Sequence, residues 1–467
     1  MENWETEEVE GESPLPVLEA VDYRGGASVR SKSGSWRSAG FIIGVEVAER
    51  IAYYGIQGNL ITYLTGPLHQ TTATAAENVN IWSGTASLLP LFGAFLADSL
   101  LGRYRTIILA SFIYILVIIL SISCMATLSI LNYIQDNLSW VLGFGIPCVA
   151  MIIALLVFML GTVTYRFNIQ QRGKSPFLRI GRVFVAAIRN RRSTLSSTAV
   201  KAEQFEFLNK ALLVPEDSIE DESCSLSEVE EAKAVLRLVP IWATTLVYAV
   251  VFAQVPTFFT KQGITMERTI FPGFDIPAAS SPIYDRLFVP MARAITGKPS
   301  GITMLQRIGT GISISIFTIV FAALVEMKRL KTAQESGVVD EPNATVPMSI
   351  WWLIPQYFLF GVSEVFTMVG LQEFFYDQVP NELRSMGLAL YLSIFGVGSF
   401  ISGFLISVIE KLSGKDGQDS WFANNLNKAH VDYFYWLLAG LSVMGLALFI
   451  CSAKSYIYNH QGIRREL

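Results

Sequence analysis

The chain has 467 residues, 52% of them hydrophobic and only 16% charged, with a mean hydropathy of +0.43. Soluble domains carry about 25% charged residues, so this composition excludes an ordinary soluble enzyme. A formal charge of −4 leaves no basic footprint for nucleic acid, and four cysteines (Cys124, Cys148, Cys224, Cys451) are too scattered for a disulfide framework or a zinc cluster.

Residues 1–37 open with acids (Glu2, Glu5, Glu7, Glu8, Glu10, Glu12), where a secretory signal needs a basic start and an apolar run. They turn basic at Arg24, Arg30, Lys32 and Arg37, and they read as a solvated cytoplasmic tail. Nine hydrophobic spans follow: Phe41–Leu64, Ile81–Leu100, Thr106–Met125, Leu138–Val163, Pro240–Thr260, Gly309–Val325, Ile350–Val369, Leu388–Ile409 and Tyr433–Ser452. Each is close to the roughly 20 residues that cross hydrocarbon. Trp82, Trp140, Trp351, Trp352, Tyr433 and Trp436 stand at span ends, as an interfacial belt requires.

Between the fourth and fifth spans, Arg166–Lys201 holds nine Lys or Arg and no acid, and an acidic run follows (Glu216, Asp217, Glu220, Asp221, Glu222). Residues 166–237 therefore read as a cytoplasmic linker, its charges solvated or facing headgroups. It separates an N-terminal bundle (38–165) from a C-terminal one (238–453), followed by a cytoplasmic tail (454–467). Basic residues in that tail (Lys454, Arg464, Arg465) and in the first favour an even number of crossings. Asn137-Leu-Ser139 and Asn343-Ala-Thr345 are glycosylation sequons in polar connections, the first of them outside.

The first span contains Glu46-Val-Ala-Glu49-Arg50-Ile-Ala-Tyr53-Tyr54-Gly55. Spacings of three and four put Glu46, Glu49 and Arg50 on one helical face. Such groups are costly at membrane depth unless they face a bundle interior or water. One guanidinium neutralises one of two carboxylates, and the surplus acid suits a proton relay; a structural ion-pair cluster is the plainer reading. Glu364 is likewise an acid inside an apolar span, while Glu373 lies nearer a span end and reads as interfacial. In Gly93-Ala-Phe-Leu-Ala97-Asp98-Ser-Leu-Leu-Gly102-Arg103-Tyr-Arg105, the glycines allow a tight turn, Asp98 can cap a helix, and Arg103 and Arg105 anchor at the cytoplasmic face.

That last stretch resembles the loop motif of the major facilitator superfamily, whose role is structural gating. Glu46-x-x-Glu49-Arg50-x-x-x-Tyr54-Gly55 resembles the signature of proton-dependent oligopeptide transporters, and Glu364 to Pro380 resembles their tenth helix. Thr85-Ala-Ser-Leu-Leu-Pro90, Asn424-Asn-Leu-Asn427 and Tyr433-Phe-Tyr-Trp436 resemble the plant branch, the nitrate transporter 1/peptide transporter family. The resemblance implies an all-α, two-bundle fold and proton-coupled symport of a peptide, nitrate or other small organic solute. It needs no cofactor beyond the proton, and the setting is a plasma or vacuolar membrane. It assigns Glu46, Glu49 and Arg50 to the proton, Tyr54 to the substrate, and Glu364 to a peptide amino terminus. Gln254, the most polar side chain on the helix that matches the family's seventh, is a candidate substrate contact. The histidines (His69, His430, His460) carry no assigned site.

The departures are specific. Four spans precede the linker and five follow it, where the family has six and six. After Met125 the sequence passes directly to Ala126–Asn137, which resembles the end of the fifth helix, so the fourth helix and most of the fifth are missing. The eighth-helix region is broken by Pro277, Pro282, Asp285, Arg286 and Pro290, and Ile276–Ile295 is expected to be short, distorted or re-entrant. The alternative function is therefore a transport-inactive truncated isoform or gene model that associates at most with full-length relatives.

Overall fold

The computed structural model describes residues 16–29, 33–96, 104–111, 140–168, 176–191, 205–213, 224–271, 274–275, 303–342, 344–380, 383–414 and 420–456. The long helices are α1 (Ser35–Thr65), α2 (Thr72–Leu96), α3 (Trp140–Leu160), α4 (Pro176–Arg189), α5 (Leu226–Phe252), α6 (Met304–Glu335), α7 (Ile354–Asp377), α8 (Arg384–Ser413) and α9 (Val431–Lys454). The chain divides into two compact units, Met1–Gly55 with Leu101–Gly173, and Ile56–Leu100 with Lys174–Leu467. The regions around Met125–Asn132 and Ile276–Ile295, and both sequon asparagines, lie outside the described residues.

In the first unit, α1 packs on α3 through Ala48 and Ala52 against Cys148, Met151 and Leu155. The tail expected to be solvated as far as residue 37 instead contributes a small sheet. β1 (Pro16–Val21) pairs antiparallel with both β2 (Ala27–Val29) and β3 (Phe167–Asn168). The reason is local. Asp22 Oδ1 accepts from the backbone N–H groups of Arg24 (2.9 Å) and Gly26 (2.8 Å), and Gly25 takes the φ of +85° that this turn needs. Arg166, counted above among the solvated linker charges, donates from Nη2 to the Ser33 carbonyl at 2.5 Å and so ties the tail to the end of α3.

Among the described residues, the second unit has five helical segments long and apolar enough to cross a membrane: Leu226–Ile264, Met304–Glu335, Ile350–Asp377, Arg384–Ser413 and Val431–Lys454. They coincide with the last five expected spans. The first starts well ahead of Pro240 because Ser225 and Glu228 form a reciprocal capping box. The final turns of the expected linker are therefore helix.

Close approaches fix the directions of these helices. Trp242 Nε1 donates to Ser393 Oγ at 2.8 Å and Gln254 Nε2 to Ser402 Oγ at 3.0 Å, so α5 and α8 run parallel. Arg307 pairs with Glu373 at 2.5 Å and Ser363 Oγ donates to Gly311 O at 2.7 Å, so α6 and α7 run antiparallel. Phe252 meets Phe360, Phe259 meets Tyr357 and Gln262 bonds Gln356, so the segment continuing α5 runs antiparallel to α7. Consequently α5 and α6, consecutive spans in the chain, point the same way. The Thr265 carbonyl meets the Val346 N–H at 2.9 Å just before α7, whereas Arg307 sits at the far end of α7. The two flanks of residues 276–302 thus lie at opposite ends of the bundle, on the order of 30 Å apart along a helix of this length. Cysteines at Thr265 and Thr303 are expected to label from opposite sides of the membrane; labelling from one side would contradict these helix directions.

Gly311 and Gly387 permit the tightest of these approaches. A Cβ at Gly387 would overlap the Phe375 carbonyl, and one at Gly311 would overlap Thr367 and the Ser363 carbonyl. Backbone cannot yield as a side-chain tip can. Gly387→Val or Gly311→Val is expected to cost about 3 kcal/mol, whereas Gly440→Val, facing open space, leaves the melting temperature of the purified protein unchanged.

Candidate functional site

The residues singled out for chemistry fall into both units. In the first unit, α1 turns Ala48 and Ala52 toward α3 and carries its charges away from that contact. Arg50 Nε bonds Glu46 Oε1 at 2.9 Å and lies 3.4 Å from Glu49 Oε2. The i, i+4 geometry anticipated from spacing is present, with one guanidinium shared unequally by two carboxylates. The Glu46 and Arg50 side chains are 60% and 54% exposed and that of Glu49 is 33%, so all three are accessible within their unit. Tyr54, one turn on, is also exposed and packs edge-to-face on Tyr53 with centroids 5.4 Å apart.

In the second unit, Glu364 is half-buried on α7 and its charge bears on the buried Tyr248 of α5. That tyrosine joins an aromatic cluster through Phe395. Phe252 meets Phe395 at 5.2 Å and Phe360 at 5.8 Å, Tyr391 meets Phe395 at 5.6 Å, and Tyr248 meets Phe395 at 6.5 Å. A carboxylate beside aromatic rings offers a cation both charge and π-faces. The spans gave these rings no individual mark. Their signal was the i, i+4 pairing of Tyr248 with Phe252 and of Tyr391 with Phe395, which places each pair on one face.

Gln254 stands elsewhere. It is fully buried, and its amide donates to the Val250 carbonyl at 2.7 Å and to Ser402 Oγ at 3.0 Å. Asn80 on α2 donates to the same hydroxyl at 3.1 Å. Gln254 thus joins three helices rather than presenting its amide to solvent. It immediately precedes a π-helical turn, Val255–Phe259, beyond which Lys261 donates to Thr65 Oγ1 at 3.1 Å.

Gly93 makes no tight turn: it lies within α2, and a Cβ there would meet open space. The glycine ends no helix because the helical hydrogen bonds continue to Leu96. Arg105 is exposed on the helix over 104–111, and Asp98, Gly102 and Arg103 lie outside the described residues.

The Asn424–Asn427 motif also has a structural reading. Asn424 Oδ1 caps the first N–H of α2 at 3.0 Å, and Asn425 and Asn427 donate to the carbonyls of Val339 (2.8 Å) and Val338 (3.3 Å). Asn427 Oδ1 accepts from Arg329, which is fully buried and forks onto Glu326 at 2.9 and 2.7 Å. Lys428 reaches Asp340 at 2.8 Å and holds that carboxyl below the usual carboxylate range.

The family model described as POT family, PTR2, matches residues 94–422. Protein NRT1/PTR FAMILY 5.10 of Arabidopsis thaliana is 54% identical, covering 96% of this chain and 97% of its own length. The chain belongs to the POT family. NRT1/PTR FAMILY 5.12 of the same plant is 49% identical over 94% of this chain and 96% of its own. The fold agrees. An auto-inhibited POT family peptide transporter superposes with a TM-score of 0.65 at 18% identity, covering 91% of this chain and 98% of that one. The POT family transporter PepTSo gives 0.66 at 18% identity, with coverage of 91% and 99%. This POT family member is accordingly an integral membrane transporter of major facilitator type, and not an enzyme. The alignment with the 54%-identical relative runs over 547 positions, more than the 467 residues of the chain, so at least 80 of them face gaps here.

Proposed function

We propose that this POT family transporter is a proton-coupled symporter of small solutes that bear an ammonium group, short peptides foremost, working by alternating access. The observation that carries the reading is the pair of carboxylates around Arg50 on α1. Arg50 is closer to Glu46 than to Glu49, so Glu49 is the less neutralised acid and the one that exchanges a proton. Tyr54 and Glu364 serve the solute. A carboxylate among aromatic rings attracts an ammonium and repels nitrate, which ranks peptides above nitrate for this chain. Solved POT family transporters of the same fold hold a thioalcohol-conjugated peptide and 5-aminolevulinic acid. The setting is a plasma or vacuolar membrane.

A second reading has its own support. At least 80 aligned positions face gaps, enough residues for the expected loss of the fourth, most of the fifth and part of the eighth helix, and a half-bundle so reduced would open the substrate path to lipid. On that reading the chain inserts, and associates with full-length relatives, without transporting. Uptake of a labelled dipeptide and of nitrate in a transport-null host separates the two. Accumulation of the dipeptide that grows as the medium is acidified supports the symporter; none, with the chain verified at the cell surface, supports the inactive form.

A further inference from the structure

Helix α4 shows three different faces. Ile180, Val183 and Ala187 are buried in the core that includes Val229, Ala232 and Leu238 of α5. Arg179 and Arg182 pair with Glu231 (3.3 Å) and Glu228 (2.5 Å) on α5, which fixes the roll of the helix. The third face carries Leu178, Val185 and Ile188, which are 57%, 66% and 63% exposed. Spacings of seven and three align them in a single strip.

The level of this strip follows from its neighbours. Phe177 packs edge-to-face on Phe95, in the last turn of the apolar helix α2, with centroids 5.7 Å apart. The part of α5 beside α4 holds Glu228, Glu230, Glu231, Lys233 and Arg237, and the charge-free stretch of that helix begins at Leu238. Helix α4 is therefore level with the boundary between the hydrocarbon and the cytoplasm. Exposed Arg189 and Arg191 stand at its C-terminal end, inside the stretch Arg166–Lys201 that holds nine basic residues and no acid. An apolar strip with a basic rim at this depth matches the cytoplasmic leaflet, apolar below and anionic at its surface.

We propose that Leu178, Val185 and Ile188 insert into the cytoplasmic leaflet and that Arg189 and Arg191 recognise anionic phospholipid headgroups beside them. The proposal does not depend on what, or whether, the protein transports. The test uses the full chain with Cys124 and Cys451 changed to serine and Val185→Cys carrying an environment-sensitive fluorophore. Cys148 and Cys224 are buried, and position 185 is exposed, so the contact with α5 is preserved. The protein is placed in phosphatidylcholine vesicles with brominated acyl chains, with and without phosphatidylserine. Quenching that strengthens with phosphatidylserine is expected, and Arg189→Gln and Arg191→Gln should each lower the inserted population about fivefold. No quenching in either vesicle, including protection by a second copy or a soluble protein instead of lipid, overturns the insertion. Equal quenching in both overturns the headgroup assignment.

Discussion

Replacing Arg329 by methionine is expected to destabilise the second unit by about 3–5 kcal/mol, the cost of stranding a buried charge. Arg329 and Glu326 are both fully buried at the end of α6. The guanidinium bonds both Glu326 oxygens, Asn427 Oδ1 and the Leu426 carbonyl, so removing it leaves a carboxylate and two acceptors without donors. The loop that holds those acceptors also caps α2, and the damage extends to that helix. Arg329→Met combined with Glu326→Leu should recover much of the loss, since no orphaned ion remains. Thermal melting of the purified protein gives the measurement. A loss below about 1 kcal/mol for the single variant would mean that water already reaches the pair.

The second large effect concerns Glu49. Glu49→Gln is expected to reduce proton-driven accumulation by at least about a hundredfold, because the amide keeps the shape and cannot exchange a proton. Solute exchange without a proton gradient should survive in this variant. The wild type should lose accumulation as external pH rises and the acid stays ionised, while the variant is insensitive to pH. Arg50→Lys should also be impaired, since a point charge cannot reproduce the shared guanidinium contacts. Retained proton-driven accumulation in Glu49→Gln would move the proton site elsewhere.

Features set by local spacing are legible in the sequence. Glu46, Glu49 and Arg50 lie within one turn, so helical geometry alone brings them together. The last five spans are long enough and apolar enough to be read without tertiary information. At Gln254 spacing says less: a polar residue in an apolar run suggests a lined cavity, and the partner of its amide, Ser402, lies 148 residues away. Glu326 and Arg329 simply follow the expected span Gly309–Val325 in the sequence, because the groups that satisfy Arg329, Leu426 and Asn427, come from a distant loop. The sheet formed by β1, β2 and β3 escaped notice because β3 is only two residues long, too short for a periodic signal.

The most direct measurement is made on purified protein in vesicles that contain a pH-reporting dye. Addition of a dipeptide outside, with no other ion gradient, should acidify the interior together with peptide entry, and Glu49→Gln should abolish the acidification. Peptide entry with no proton movement would contradict proton coupling. No entry at all, from protein correctly inserted and folded, would contradict transport itself.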